Sequence, residues 1–488
     1  MGSVKISGEI DTIMRFNILP LLLFFITAQS CALFINDFSQ LNRTAVSDIV
    51  YPTTVAEIQA VLSRAKGENK KISVAGKRHS QGGHAFCPQA IVIDMCRFNR
   101  IINLNVADKV ITVQTGATWD HIQHYINQYG LAIKVMQTAE IFTIGGSLSV
   151  NAHGRDPRFG PLIETVRAVR ILLASGVIVE ASRVQHYDLF KLAIGGYGLF
   201  GIILEADIEL TENTVYQKST HILKIDTYAS FVKEQVVSNP QLGLHYGIVS
   251  VSPYNFLKDM IAVNYVKHPI VSTRQPHVCV LRDESNIGFS QMMLNLQRTS
   301  PFCHYFSRIF NWPTIIMRES GEEVVCRNNA MRHPTGLLEY TATSHVHALC
   351  SYFIPPESFA CFMNYLRNSC KTFKVRCFAV FTRFIPSNME SFLSYTSQER
   401  IEVVIFLVHK NSPRGIDTMR RWTQATVDYV LAHQGTYYLP GNLHPTYNQI
   451  NAAYPHIAEF FAKKKEYDPS EIFANHFYLK YSRALSSE

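Results

Sequence analysis

Ten cysteines are spread over 488 residues without one C-x-x-C pair, which argues against a zinc ribbon or a thioredoxin-type redox site, since both use paired sulfurs at that spacing. H-E-x-x-H does not occur. His121 with His124, and His345 with His347, have no third ligand at a useful spacing, so no metal site is expected. Repeats and low-complexity tracts are missing too. Charged residues make up only 17% of the chain, and the formal charge of +8 is spread along it. The one basic run, Lys463-Lys464-Lys465, suits a solvated helix face, so no nucleic-acid partner is expected.

What remains is a globular composition, 47% hydrophobic, in a chain too long for one compact core; two or three domains are expected. Arg15 precedes the apolar stretch Ile18–Ala28, and Ala28 and Ser30 are small residues at the positions a signal peptidase reads. Residues 1–30 therefore read as a signal peptide, cleaved after Ser30, of an exported (periplasmic or secreted) protein. The alternative is a retained anchor, because no charge separates Arg15 from Asp37, which leaves membrane association through this segment open. Export permits disulfides, but strings such as Val278-Cys279-Val280 suit buried free thiols.

Between Ile49 and Leu210 strands and helices alternate. Thr53 or Thr54 can cap a helix Val55–Lys66, and strands Lys71–Ala75, Ile91–Asp94 and Val110–Gln114 follow. A helix Ala117–Tyr129, a strand Ala168–Ala174, a helix Tyr187–Ala193 and a strand Gly201–Leu210 complete this part. Beyond Glu212 longer alternating strands are separated by helices (Phe289–Phe310, Pro356–Cys370, Ile416–His433), the pattern of an antiparallel sheet covered by helices. The fold class is α+β, with domains at 45–213 and 214–442 and a C-terminal segment, 443–488. In the last segment Asp468, Pro469 and Glu471 fit the N-cap, N1 and N3 positions of a helix.

Three glycine-rich segments carry chemistry. In Gly76-Lys77-Arg78-His79-Ser80-Gln81-Gly82-Gly83-His84, between two strands, the glycines let main chain approach a ligand and inward N–H groups can hold an anion. The second segment runs from Thr143 through Gly145, Gly146, Ser147, Ser149, Asn151 and His153 to Gly154, and its adjacent glycines let backbone pass under a flat ligand. The third has a formal G-x-G-x-x-G at Gly196, Gly198 and Gly201. A helix precedes these glycines and a strand follows, the reverse of a dinucleotide fingerprint, so NAD is rejected.

Together the three segments resemble the flavin-binding loops of the vanillyl-alcohol oxidase/PCMH superfamily, strongly over Ile49–Asn213 and again in Leu443–Tyr478. In texture the chain is most similar to the sugar-alcohol and aldonolactone oxidases and the decaprenylphosphoryl-ribose oxidase-like branch. The resemblance implies a PCMH-type FAD-binding domain under a substrate-binding cap. FAD would be bonded to His79 and held by Gly76, Lys77, Arg78, Ser80, Gln81 and Gly82, the second segment's residues, and Gly198, Gly201 and Ile203. It implies oxidation of an alcohol-bearing carbon of a small molecule, with oxygen or another electron acceptor completing the cycle. Cytokinin dehydrogenases have a similar His-Ser loop, so amine oxidation is the alternative, and a secreted flavoprotein binding ligand without turnover is another.

The departures bear on catalysis. Sugar-type relatives place a lysine just before the equivalent of Leu443-His444, where this chain has Pro440-Gly441-Asn442. They also carry a Glu-x-Arg pair on an active-site strand, where Ala379-Val380-Phe381 stands here. By strand alternation Cys377, Ala379, Phe381 and Arg383 share one face, which makes Arg383 the nearest cation. His444 and Tyr438 are the other catalytic candidates.

Overall fold

Thr54 caps the first helix by accepting from the Glu57 N–H, and Val55–Gly67 then buries Ile58, Val61, Leu62 and Ala65 at helical spacing. This stripe lies on a three-stranded parallel sheet in the order Asp48–Val50, Ile91–Asp94, Ile72–Ala75. The structure is a computed structural model that describes residues 33–268, 279–282, 287–332 and 344–484. The proposed signal peptide or anchor lies outside the described residues. No helix among them is long and apolar enough to cross a membrane.

A second, antiparallel sheet runs Ile178–Ser182, Val166–Leu172, Ile202–Glu212, Val110–Gln114, Ile101–Asn105, with Leu131–Ile133 paired to the far end of Ile202–Glu212. The chain end returns to the parallel sheet, where Ile72 N–H donates to Ile472 O and Ala474 N–H donates to Ile72 O.

The third sheet has eight antiparallel strands: Val324–Cys326, Val215–Lys224, Asp259–Lys267, Leu242–Val249, Arg376–Ile385, Arg400–Lys410, His345–Ile354 and Thr436–Tyr437. Helices Phe359–Thr372 and Pro413–Ala432 cover one face, where Tyr352 meets Phe362 and Trp422. The other face turns toward the first two sheets, with Phe353 against His153. An ion pair between Arg327 and Asp156 at 2.9 Å, both side chains 1% exposed, ties the two regions, and Arg327 also donates to the Ile133 carbonyl. The α+β expectation is met.

Four local expectations are corrected. Phe289–Phe310 is not one helix: Ile287–Thr299 stops at Ser300, which caps Pro301–Glu319 with Pro301 in its first turn, where the missing N–H costs nothing. Asp468 does not start a helix but ends Ile457–Tyr467. Its carboxylate accepts from the N–H groups of Ile472 and Phe473 and pairs with buried Lys464, so it holds a turn. Cys279 is not a free thiol, since it is bonded to Cys326. Finally, a bulge at Phe378 shifts the alternation, so Cys377 points to the opposite face from Ala379, Phe381 and Arg383.

Candidate functional site

The three glycine segments converge on one cleft. Its lining includes Gly76 to Gln81, Thr143, Gly145, Gly146, Ser147, Ser149, Gly198, Gly201 and Ile203, closed from the eight-stranded sheet by Leu349, Ser351, Tyr438, Pro440 and Gly441. It encloses about 1270 Å³ of non-protein space, its open mouth included. Sequence reasoning missed Leu349 and Ser351 and also Thr115, Gln137, Phe142 and Tyr197. They come from strands and turns with no local signature.

The first loop is held from several directions. Arg78 sits in the left-handed region at φ 59°, a strained setting for a residue with a Cβ, and its carbonyl accepts from the Phe38 N–H. Asp37, also missed from the sequence, accepts from the Gly83 N–H at 2.9 Å and from Ser39 and Asn42; burial raises its carboxyl to about 6. Gln81 clamps the loop to the eight-stranded sheet, its N–H donating to Pro440 O and its Oε1 accepting from the Leu349 N–H.

His79 lies between Phe38 and Phe142, with ring centroids 5.1 and 4.6 Å away. Burial, reinforced by Lys77 and Arg78, lowers it to about 4. The ring is therefore neutral at pH 7 with a free nitrogen lone pair, as a nucleophile requires. His84, the other loop histidine, stacks against Phe477, lies tilted beside Tyr197 and is lowered to about 3 by burial.

In the second segment Thr143 caps the short helix Ile144–Ser149. A Cβ at Gly76 would collide with the Thr143 hydroxyl, so a side chain there would force these loops apart. In the third segment Gly201 has φ 139° and packs so tightly that a Cβ would stand 2.7 Å from Leu172 O. The glycines follow the helix Tyr187–Ala193 and precede the strand Ile202–Glu212, as expected.

Four expected cofactor residues do not line the cleft. Gly82 packs against His84, Leu443 and Gly441 O, and Gly154 lies under the Met136 backbone. Asn151 is spent internally, its side chain accepting from the Ile163 N–H and its carbonyl from the Tyr395 hydroxyl. His153 faces away, its Nδ1 3.0 Å from the Tyr395 hydroxyl and its Nε2 2.9 Å from Glu402.

Of the catalytic candidates, only Tyr438 lines the cleft. Its hydroxyl donates to Val150 O, and burial pushes the phenol well above its ordinary value, so it is a neutral donor rather than a base. Arg383 stands behind the lining, donating to Thr138 at 2.7 Å and lying 3.3 Å from Glu402. His444 is outside the lining, beside Thr423 on the helix-covered side, and burial lowers it to about 4. Glu402 is the residue that sequence reading missed. It supplies the carboxylate partner of an arginine from the neighbouring strand, because Arg383 and Glu402 are directly paired in the register. A search for Glu-x-Arg along one strand cannot detect a cross-strand pair.

The donor set fits a flavin dinucleotide. Backbone and hydroxyl groups from three loops, two cations (Lys77 and Arg78) and the apolar walls Phe142 and Ile203 face one cleft, and the buried Nε2 of Gln81 has no partner among the described residues. Residues 46–182 match the FAD binding domain family, and FAD is the cofactor this match indicates. L-gulonolactone oxidase of Mus musculus is 29% identical over 158 residues, covering 32% of this chain and 36% of the relative. Cytokinin dehydrogenase 9 of Oryza sativa subsp. japonica is 30% identical over 207 residues, covering 41% and 39%. Mitochondrial L-galactono-1,4-lactone dehydrogenase 2 of the same plant is 22% identical over 208 residues, covering 43% and 36%. The matches thus span less than half of each relative.

Proposed function

We propose that the FAD-binding domain at residues 46–182 serves an oxidoreductase that oxidises an alcohol-bearing carbon of a sugar, alditol or lactone. The carrying observation is the assembly of the three glycine loops, neutral His79 and the open sheet face around Leu349 and Ser351 into one cleft. The names of the lactone-oxidising relatives support the substrate class. When bound, the flavin supplies the two-electron acceptor for the carbon-bound hydrogen.

The chain's own residues do the rest. His79, neutral and pinned between two aromatic rings, is the attachment point for a covalent flavin. Lys77, Arg78 and the backbone of the first two loops hold the anionic part of the cofactor. Arg383, fixed by Thr138 and Glu402, provides a rigid positive charge behind the cleft. The residues at 1–30 direct export or anchor the protein.

Purified protein should be yellow, and the colour should stay with the chain through acid precipitation. Anaerobic addition of alditols, aldonolactones, simple alcohols and cytokinin-like amines tests the substrate class by bleaching of the flavin. Bleaching by amines alone would replace this reading with the amine-oxidising one, and no bleaching across the panel would leave a flavoprotein that only binds.

A further inference from the structure

The sheet face that closes the cleft continues beyond it. Register places His347, Val408 and Arg376 side by side across three strands, and Leu349, Phe406 and Ala379 in the next row. Cross-strand partners project from the same face, so the row containing Leu349, which lines the cleft, leads directly to the row containing His347 and Arg376. The separation along the strand is about 7 Å. The middle of this face is partly open, since Leu349, Ser351, Phe406, Ala379 and Phe381 are all half-buried.

At the far end the groups are arginines and histidines. His304, on the helix Pro301–Glu319, and His347 have ring centroids 6.2 and 5.9 Å from that of Phe378, at the bulge that interrupts this strand. Arg376 donates one Nη to the carbonyl of buried Arg298 at 3.2 Å. Its other Nη and the Nε2 of His304 are buried without a hydrogen-bond partner among the described residues. Among the described residues neither Arg376 nor His304 has a carboxylate partner. A guanidinium brought out of water normally acquires an anion or a full set of acceptors, because an uncompensated buried charge is costly. The opposite end of the same face has its carboxylate, Glu402, already matched to Arg383.

We propose that Arg376 and His304, with His347 and Arg298 beside them, form an anion subsite at the end of the substrate groove, so that the oxidised substrate carries a carboxylate or a phosphate. The inference rests on the reading of this cleft as an oxidoreductase site and narrows its substrate class. The anionic group seats on Arg376 with the His304 ring as a second donor, and the carbon chain runs back over Leu349 toward the cleft. Burial and the positive charges of Arg308 and Arg376 lower His304 to about 4, so the ring is neutral near pH 7 and Arg376 carries the charge.

Calorimetric titration of the FAD-loaded full chain with succinate, inorganic phosphate and the neutral alditol sorbitol tests this. One or both anions should bind at one site per chain in preference to sorbitol, and Arg376→Gln should weaken that binding by roughly tenfold or more, the loss expected for a charge-assisted hydrogen bond. Preference for succinate identifies a carboxylate substrate and preference for phosphate a phosphorylated one. His304→Gln, which changes no formal charge, should weaken binding by a smaller factor and serves if the arginine variant does not fold. No anion binding to the wild type, or unchanged affinity in a folded variant, overturns the subsite. Flavin content is read separately from absorbance: a colourless chain that still binds the anion refutes the flavin reading and leaves the subsite standing.

Discussion

His153 Nε2 stands 2.9 Å from Glu402 Oε2, with the two side chains 3% and 2% exposed, and Arg383 approaches the same oxygen at 3.3 Å. One carboxylate thus joins a loop of the FAD-binding half to the sheet that closes the cleft. Burial alone would raise Glu402, but His153 and Arg383 outweigh it and hold the carboxyl at about 2.

That depression sets the acid stability. A carboxyl whose folded pKa lies below its unfolded value stabilises the protein above about pH 4.3, and the contribution disappears as pH falls toward 2. Glu402→Gln removes this dependence. It should also cost stability at neutral pH, roughly 1–3 kcal/mol, because the half-buried Arg383 loses its counter-charge. Thermal unfolding across this range should show the wild type losing more than the variant. Parallel curves would mean that the pair is not charged in the folded state.

His79 gives a second pH signature. Its lowered pKa leaves the ring neutral down to about pH 4, whereas an ordinary histidine is half protonated near 6.5. Flavin attachment to the freshly folded chain should therefore proceed almost equally at about pH 7.5 and 5.5. Stability should fall between pH 6.5 and 4, since the unfolded chain takes up the proton that the buried ring refuses. His79→Ala should release all FAD on denaturation. Covalent flavin in that variant would move the attachment elsewhere, with His84 examined first. A second, cysteinyl link is not expected, because no cysteine lies between Cys96 and Cys279.

The loops were legible because glycine and histidine needs are local: Gly76, Thr143 and Gly201 are read in sequence and meet in space. The strands and helices expected between Val55 and Leu210 were legible for the same reason, through capping threonines and apolar periodicity, whereas the strands Ile101–Asn105, Leu131–Ile133 and Ile178–Ser182 were not. The wall supplied by Leu349 and Ser351 was not, because it depends on which strands become neighbours. Glu402 stayed hidden for that reason, and the Phe378 bulge put Cys377 on the wrong face of the expected strand. Asp468 misled because a carboxylate that caps a helix also holds a turn, and the choice was made by Lys464 beside it.

The Cys279–Cys326 bond closes a loop with a sequence separation of 47 and fastens a segment next to the edge strand Val324–Cys326. Loop closure of this length is worth about 4 kcal/mol in the chain-entropy description. Cys326→Ser should lower the melting temperature and leave the flavin spectrum unchanged, because neither cysteine lines the cleft. Non-reducing peptide mapping should recover the linked pair. Free thiols at both positions in freshly purified protein would refute it.

Arg383 is the sharpest test of the catalytic side. Its guanidinium is fixed by Thr138 on one side and Glu402 on the other, so it acts on the cleft as a rigid positive charge without lining it. Such a group stabilises negative charge that develops in a water-poor site. Arg383→Ala should slow anaerobic flavin bleaching by roughly 10²-fold or more. Arg383→Lys should recover only part of the rate, since lysine cannot bridge two acceptors with a planar fork. The alanine variant also leaves Glu402 with one partner fewer, so loss of packing must be separated from loss of charge. The double variant Arg383→Ala with Glu402→Gln does this by removing the orphaned carboxylate. If the slow rate persists in the double variant while its melting temperature recovers, the charge itself is needed. If rate and stability recover together, Arg383 serves only to neutralise Glu402, and the charge that assists oxidation has to come from another residue.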